Sequence, residues 1–370
     1  MIIYKQTKTG SIQMWQQEIS GSKYRTISGQ VDGKLVVSDW TQCISTNIGR
    51  ANERNPEQQA DFEVAANYKK KLDKDYHVSL ENVEEGSHIF ECMLAQDYKK
   101  AVLRSNPPII STCFSQPKLN GMRCIVNKDG MWSRKGKSIL SAPHIFEALK
   151  PSFEKKPYLV FDGELYNHAF KDDFNEIMSI FKKLKPTEED LEKSKQFGQY
   201  HVYDITGIGD QVCYRDRFVH LEREVFSIKN PSIILTKTDK VTSQAHLDKL
   251  YAEYLLQGYE GQIIREDAWY ECKRTWNLLK RKEFLDAEFE LVDILSGLGN
   301  WSGKAKSALL KLSDGRQFNA GITGTMEFTA ELLKNKEKYI GKKTTVNFFQ
   351  YTPDGVPLFP RCKEFDRMDV

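Results

Sequence analysis

The chain has 370 residues, enough for two or three domains that each bury a core. Hydrophobic residues make up 40%, which excludes an intrinsically disordered chain. With 54 basic and 51 acidic residues the net charge is +3, a balance that neither demands nor excludes a nucleic-acid partner.

The first segment reads as short strands. Ile12–Trp15, Tyr24–Ile27 and Lys34–Val37 are β-type runs, separated by turn residues at Ser20-Gly21-Ser22 and Asp32-Gly33. The spacing predicts a helix from Pro56, with Phe62, Ala65, Tyr68, Leu72 and Tyr76 as one apolar stripe. Lys69, Lys70, Lys71 and Lys74 crowd its last turns. They read equally as a solvated face that complements the helix dipole and as phosphate contacts. A link through Glu84-Glu85-Gly86 leads to a helical stretch over Ala95–Leu103, stopped before Pro107-Pro108. From about residue 110 to about 284 strands and helices alternate. The remainder is strand-rich, with runs at Phe289–Leu295, Ala308–Leu312 and Thr344–Phe349 and turns at Asp314-Gly315 and Pro353-Asp354-Gly355. The expected plan is a β-rich module over 1–85, a mixed α/β domain over 90–284 and a β-barrel over 285–370.

Cys43, Cys92, Cys113, Cys124, Cys213, Cys272 and Cys362 are scattered and odd in number, which reads as reduced thiols. Lys5 and Lys8 interrupt any apolar run at the start, and no stretch is long enough to span a bilayer. A soluble, cytoplasmic monomer without a membrane partner is expected, in the host-cell cytoplasm if virus-encoded.

Chemistry concentrates around Gln116-Pro117-Lys118-Leu119-Asn120-Gly121-Met122-Arg123. A lysine before a turn is commonplace, but this one keeps ordered company. Downstream come Ser133-Arg134-Lys135-Gly136, Phe161-Asp162-Gly163-Glu164-Leu165 and Val202-Tyr203-Asp204. Glu260-Gly261-Gln262-Ile263-Ile264-Arg265 and Leu279-Lys280-Arg281-Lys282-Glu283-Phe284 follow. Over roughly residues 90 to 370 the series resembles the signature of the covalent nucleotidyltransferases: ATP-dependent DNA ligases, RNA ligases and messenger-RNA capping enzymes.

The resemblance implies an α+β architecture. A mixed α/β adenylation domain with an ATP-grasp-like nucleotidyltransferase core is followed by an OB-fold barrel. It also implies roles. Lys118 is the nucleophile that takes AMP, and Gln116 reads the adenine edge. Arg123 lies near the AMP and the nick, and Arg134 receives the 5′-phosphate of the broken strand. Glu164 contacts ribose, Glu260 is a metal-site acid, and Lys280 and Lys282 hold phosphates.

The residue chemistry suits those roles. An amine attacks phosphorus only when unprotonated, and neighbouring cations favour that form. Lys280, Lys282 and a bound Mg²⁺ (or Mn²⁺ in its place) are the cations at hand, and they would also neutralise charge on the triphosphate. Arg123 and Arg134 carry planar forks for phosphate oxygens. Glu164 and Glu260 offer hard oxygens to Mg²⁺ or to ribose hydroxyls. Tyr203 offers a face for adenine. Taken singly, each has a plainer reading: turn acids, a core tyrosine, strand lysines facing water, and for Arg265 a strand end or a local pair.

Asn120 stands where the family usually has aspartate; it keeps an acceptor, gains donors and loses the charge. Hydrogen bonding is expected to survive there. Met93-Leu94-Ala95 resembles a segment upstream of the DNA ligase nucleophile, with Cys92 where proline is usual. Phe359-Pro360-Arg361 and Arg367-Met368-Asp369 resemble the family's last motif, which aligns pyrophosphate; a basic tail on the barrel reads equally well. Gly299 to Lys306 reads as a basic loop between barrel strands.

The first module resembles the WGR fold through Asn47-Ile48-Gly49-Arg50, Gln58-Gln59, Phe62 and Lys69–Lys74, with Ile48 in place of the tryptophan. That resemblance implies salt-sensitive phosphate contacts from Arg50 and the lysines. Together these features favour a DNA ligase acting on ATP and nicked double-stranded DNA. An RNA ligase, a capping guanylyltransferase and an inactive DNA-binding protein are the alternatives.

Overall fold

β-Type runs and turn residues open the chain as an antiparallel sheet: β1 (Ile2–Gln6), β2 (Ile12–Ser20), β3 (Lys23–Gln30), β4 (Leu35–Val37) and β5 (Thr41–Gln42). β1 to β4 pair in order, and β5 joins β3. The structure is a computed structural model that describes every residue except 8, 75, 81, 82, 84–89 and 366–370. The expected link at Glu84-Glu85-Gly86 and the motif Arg367-Met368-Asp369 therefore lie outside the described residues.

Helix α1 (Pro56–Leu72) starts where predicted. The Asn55 side chain accepts from the Gln58 amide while the Gln58 side chain accepts from the Asn55 amide, satisfying two otherwise orphaned donors. Its buried face differs from the expected stripe. Ala60, Val64 and Tyr68 are buried, and Val64 and Tyr68 form a small core with Ile3 and Trp15. Phe62 sits about 200° round the helix from Ala60 and is exposed, its ring covered by the Arg54 guanidinium at 3.8 Å.

Residues 90–283 form one compact unit, and residues 1–89 with 284–370 form another. The first of these carries ten strands. They are β6 (Leu94–Asp97), β7 (Phe114–Lys118), β8 (Met122–Asn127), β9 (Gly130–Ser133), β10 (Val160–Tyr166), β11 (Gln199–Thr206), β12 (Ile233–Leu235), β13 (Asp239–Lys240), β14 (Gly261–Arg265) and β15 (Arg274–Arg281). One sheet runs β12-β11-β10-β8-β9 and the other β13-β7-β14-β15-β6. The helix expected over Ala95–Leu103 is half strand: β6 pairs parallel with β15. α2 (Tyr98–Leu103) begins only after Asp97, whose carboxylate caps the Lys100 amide.

Helices α3 (Pro143–Lys155), α4 (Phe174–Phe181), α5 (Glu188–Phe197), α6 (Tyr214–Ile228) and α7 (Gln244–Leu256) cover the sheets. Leu149, Phe153, Phe161, Leu165, Ile177 and Leu221 belong to the larger core. Leu247, Tyr254, Ile264 and Leu279 belong to a second, under α7.

The C-terminal strands β16 (Leu285–Ser296), β17 (Ala305–Lys311), β18 (Gln317–Gly321), β19 (Lys343–Phe348) and β20 (Arg361–Phe365) close into a five-stranded OB-fold barrel ordered β16-β17-β18-β20-β19. Helix α8 (Met326–Lys334) adds Leu332 to the barrel core of Leu291, Leu310, Phe318, Val346 and Phe348. Among the described residues no helix is long and apolar enough to cross a membrane.

Candidate active site

β7 delivers Lys118 to the end of a sheet, opposite Gly261 of β14. The Glu260 amide donates to the Lys118 carbonyl at 3.0 Å, so nucleophile candidate and acid are held by backbone as well as side chain. The Lys118 ammonium bonds one oxygen of the Glu260 carboxylate, and Lys282 Nζ lies 2.8 Å from the other. Burial acts to raise the Glu260 carboxyl, but the charges of Lys118 and Lys282 outweigh it and hold it below the ordinary glutamate range. Gly261 permits this closeness. Its φ is +153°, and a Cβ there would stand 2.2 Å from the Arg281 carbonyl.

The opposite wall comes from β8 and β10, where Arg123 and Glu164 are cross-strand partners. Gly121 lets the chain leave Lys118 tight against β10, since a Cβ would meet the Leu165 carbonyl at 2.4 Å. The fork of Arg123 is engaged by the fully buried Asp162, Nε to Oδ1 at 2.9 Å and Nη2 to Oδ2 at 2.5 Å. Tyr270 Oη also donates to Asp162, at 2.7 Å. Burial pushes the Glu164 carboxyl up to about 7, against the pull of Lys118 and Arg123.

Tyr203 sits at a bulge. Asp162 pairs with Asp204 but Gly163 pairs with Val202, leaving Tyr203 as the extra residue of β11. Such a bulge re-aims a side chain. The Tyr203 hydroxyl donates to Glu164 at 3.4 Å. Gln116, on the same face of β7 as Lys118, is 1% exposed; protein acceptors take both hydrogens of its amide nitrogen, and its oxygen accepts from Arg265. Lys280 is pushed below the ordinary lysine range by burial and then by the charges of Lys282 and Lys118.

A cleft of about 240 Å³ collects Gln116, Lys118, Arg123, Arg134, Glu164, Tyr203 and Lys280. Glu260 and Lys282 reach it through Lys118. Arg134 heads the exposed turn after β9. Arg50 is exposed and belongs to the other unit. There Lys71 Nζ lies 4.9 Å from the Trp15 ring centroid and 4.6 Å from that of Tyr76, pushed down by burial and by Lys74 and Lys5. Arg361 opens β20, exposed. Asn120 departs from expectation on its donor side: Nδ2 is buried with no hydrogen-bond partner.

Sequence reasoning missed Arg274, which lines the same cleft from β15. β15 is irregular between Thr275 and Leu279, so strand alternation counted back from Lys280 does not reach Arg274 and gave no signal for it. It also missed Arg217, which holds Asp204 from α6 and left no signal in the spacing.

Glu164 and Glu260 are the residues that could hold a divalent cation. Both are hard donors, and each lies close enough to feel the other's charge. Among the described residues no three or more His, Cys, Asp or Glu side chains converge as a metal cage.

Residues 92–282, just over half of the chain, match the family model of the ATP dependent DNA ligase domain. The chain belongs to the ATP-dependent DNA ligase family. Its ligase domain thus takes in Lys118 and every residue placed around it above. A solved structure reported as Lig E DNA ligases, said to bind DNA with a minimal scaffold, shares 21% identity at TM-score 0.62, covering 75% of this chain and 100% of that one. A second, reported as Pmar-Lig_PreS3, shares 22% identity at TM-score 0.62, covering 84% of this chain and 73% of that one. At these identities the likeness is one of fold. No curated protein matches the chain. The ligase-domain match does not reach the N-terminal module, so the WGR resemblance gains no support from it.

Proposed function

We propose that this protein seals nicks in duplex DNA, taking AMP from ATP onto Lys118 as a covalent intermediate. The observation that carries the reading is the Lys118–Glu260–Lys282 ion cluster at the cleft, in a chain of the ATP-dependent DNA ligase family.

The chemistry is three displacements at phosphorus. Lys118 Nζ attacks the α-phosphorus of ATP; a P–N bond forms, a P–O bond breaks and pyrophosphate leaves. The amine must shed a proton first, and the Glu260 carboxylate is already in contact with it. Next the 5′-phosphate of the nick displaces Lys118, taking AMP with it. The 3′-hydroxyl then attacks that 5′-phosphate, AMP departs, and the phosphodiester is closed.

Lys280 and Lys282 neutralise phosphate charge through these steps. Tyr203 supports the adenine, and Gln116 meets its edge. Arg134 and Arg274, exposed at the cleft, suit the nick phosphate. Arg123 shares its fork between Asp162 and substrate. A divalent ion bound by Glu164 and Glu260 together with the phosphates would withdraw charge from the reacting centre. Holding all partners in line at one site serves each displacement. Arg50 and the α1 lysines would add salt-sensitive, sequence-independent backbone contacts.

A duplex carrying one 5′-phosphorylated nick tests this. Sealing with ATP and Mg²⁺, absent in Lys118→Ala, is expected. Joining of RNA ends without joining of the DNA nick would replace this reading with an RNA ligase.

A further inference from the structure

We propose that Thr238 and Arg265 are positioning residues that lock the Gln116 amide in one orientation. Gln116 then offers a purine an acceptor only, and the site selects a 6-amino purine over a 6-oxo purine. The inference rests on the nucleotide-binding reading above and deepens it.

An amide's oxygen and nitrogen ends are nearly isosteric, so what fixes its orientation is the polarity of its neighbours. Gln116 has three such neighbours, and each one decides. Arg265 Nε lies 2.8 Å from Gln116 Oε1, and a guanidinium only donates, so the atom facing it is the oxygen. The Tyr203 carbonyl lies 3.3 Å from Nε2 and only accepts, so the atom facing it is the nitrogen. Thr238 Oγ1 lies 2.8 Å from Nε2 and spends its single hydrogen on the Thr236 carbonyl at 3.0 Å, so it too must accept from Gln116.

Tyr214 repeats the pattern. Its hydroxyl donates to the Tyr203 carbonyl at 3.0 Å and accepts from Gln116 Nε2 at 2.8 Å. Two amide hydrogens thus serve three acceptors, and none remains for a ligand. The oxygen accepts once, from Arg265, and keeps its second lone pair.

The anchor on the oxygen side is itself stiff. Arg265 Nη1 donates to Asp204 Oδ2 at 2.7 Å, and Arg217 grips the same carboxylate at 2.8 and 3.1 Å. Asp204, Arg217 and Arg265 are all at most 3% exposed. Flipping the amide would set NH₂ against a buried guanidinium and a carbonyl against a carbonyl.

Gln116 lines the cleft two residues before Lys118 on one strand face. A base seated there with its 6-position toward Gln116 meets an acceptor. Adenine's 6-amino group donates to it. A 6-oxo group brings a second acceptor with no hydrogen between, and the locked amide cannot turn to receive it. A site built for one hydrogen-bond polarity rejects the wrong partner by on the order of 100-fold or more.

The test is equilibrium binding of ATP, inosine triphosphate and 2,6-diaminopurine riboside triphosphate to full-length Lys118→Ala protein, where no covalent step intervenes. Inosine triphosphate is expected to bind at least about 100-fold more weakly than ATP, and the diaminopurine nucleotide about as well as ATP. Adding Thr238→Ser, which keeps the hydroxyl, preserves that ratio. Adding Thr238→Val, or Arg265→Lys, which keeps a charge for Asp204 but drops the Nε donor, lowers it about tenfold or more. Should Arg265→Lys not fold, the Ser and Val pair at Thr238 decides alone.

Equal binding of ATP and inosine triphosphate to the Lys118→Ala protein overturns the proposal, and so does an undiminished ratio in Thr238→Val. Adduct formation by protein carrying Lys118 is scored separately by mass. No adduct alongside a preserved ATP preference would remove the ligase reading and uphold the lock. Adducts formed equally from ATP and inosine triphosphate would remove the lock alone.

Discussion

Replacing Asp204 by asparagine preserves shape and removes one charge from a buried cluster. Asp204 is fully buried, and its carboxylate takes Arg217 Nε at 2.8 Å, Arg217 Nη2 at 3.1 Å and Arg265 Nη1 at 2.7 Å. Asparagine leaves two guanidinium groups without a counter-charge and turns one acceptor into a donor that faces donors. Breaking a buried ion pair from one side costs about 3–5 kcal/mol. Two cations are stranded here, which argues for the upper end. Arg217 Nη1 keeps the Val212 and Ala268 carbonyls at 2.6 and 2.9 Å, which limits the loss. We therefore expect Asp204→Asn to lose about 3–5 kcal/mol, read from native-state hydrogen exchange of β11 and α6 amides, which reports this unit apart from the barrel. Adding Arg217→Met should recover about 1–3 kcal/mol of that, because a stranded charge is removed with its partner. A loss below about 1 kcal/mol, or costs that simply add in the double variant, would mean that the two arginines do not depend on the Asp204 charge.

Three further outcomes are expected. Gly261→Ala pushes β14 from the Arg281 carbonyl and carries Glu260 off Lys282, so adduct formation from ATP should fall on the order of 100-fold in a protein whose far-ultraviolet dichroism is unchanged. Arg274→Ala removes a rim cation with no part in the Glu260 cluster; adduct formation should stay within about threefold while nick sealing drops about tenfold or more. His201 is pushed down to about 4, by burial and then by His168. Its folded pKa lies below its unfolded value near 6.5, so the unfolded chain binds the extra proton between them. Stability should therefore be lost as pH falls from about 6.5 toward 4, by at most roughly 3 kcal/mol, and His201→Gln should flatten that limb in urea titrations.

Much of this fold was legible because each local signal had one strong reading. Pro56 followed by apolar residues at spacings of three and four reads as a helix, and α1 begins there. Its face was not legible, since an exposed Phe62 under Arg54 mimics a core residue in any apolar count. Ala95–Asp97 reads as helix locally and becomes strand because β15 offers it an edge, a tertiary effect no window of sequence contains. At the site, the ordered motifs contain Gln116, Lys118, Arg123, Arg134, Glu164, Tyr203 and Lys280, which line one cleft, but not Arg274, which lines it too. Spacing could not tell that Arg123 is held by Asp162 in the folded chain, or that Gln116 spends both amide hydrogens within the protein. Those facts depend on β10, α6 and the segment around Thr238, all remote in sequence. The buried Asn120 Nδ2 without a partner is likewise a packing result that residue type alone does not give.

The proposed sealing reaction runs through a phosphoramidate on Lys118. The protein, first shown to be free of bound AMP, is incubated with Mg²⁺ and either ATP or GTP, weighed intact, and then digested so that any added mass is assigned to a peptide. An AMP-sized increment from ATP, on the peptide that contains Lys118, absent in Lys118→Ala and discharged by nicked duplex DNA, is the predicted result. No increment with either nucleotide, or an increment on another lysine such as Lys280, would contradict it.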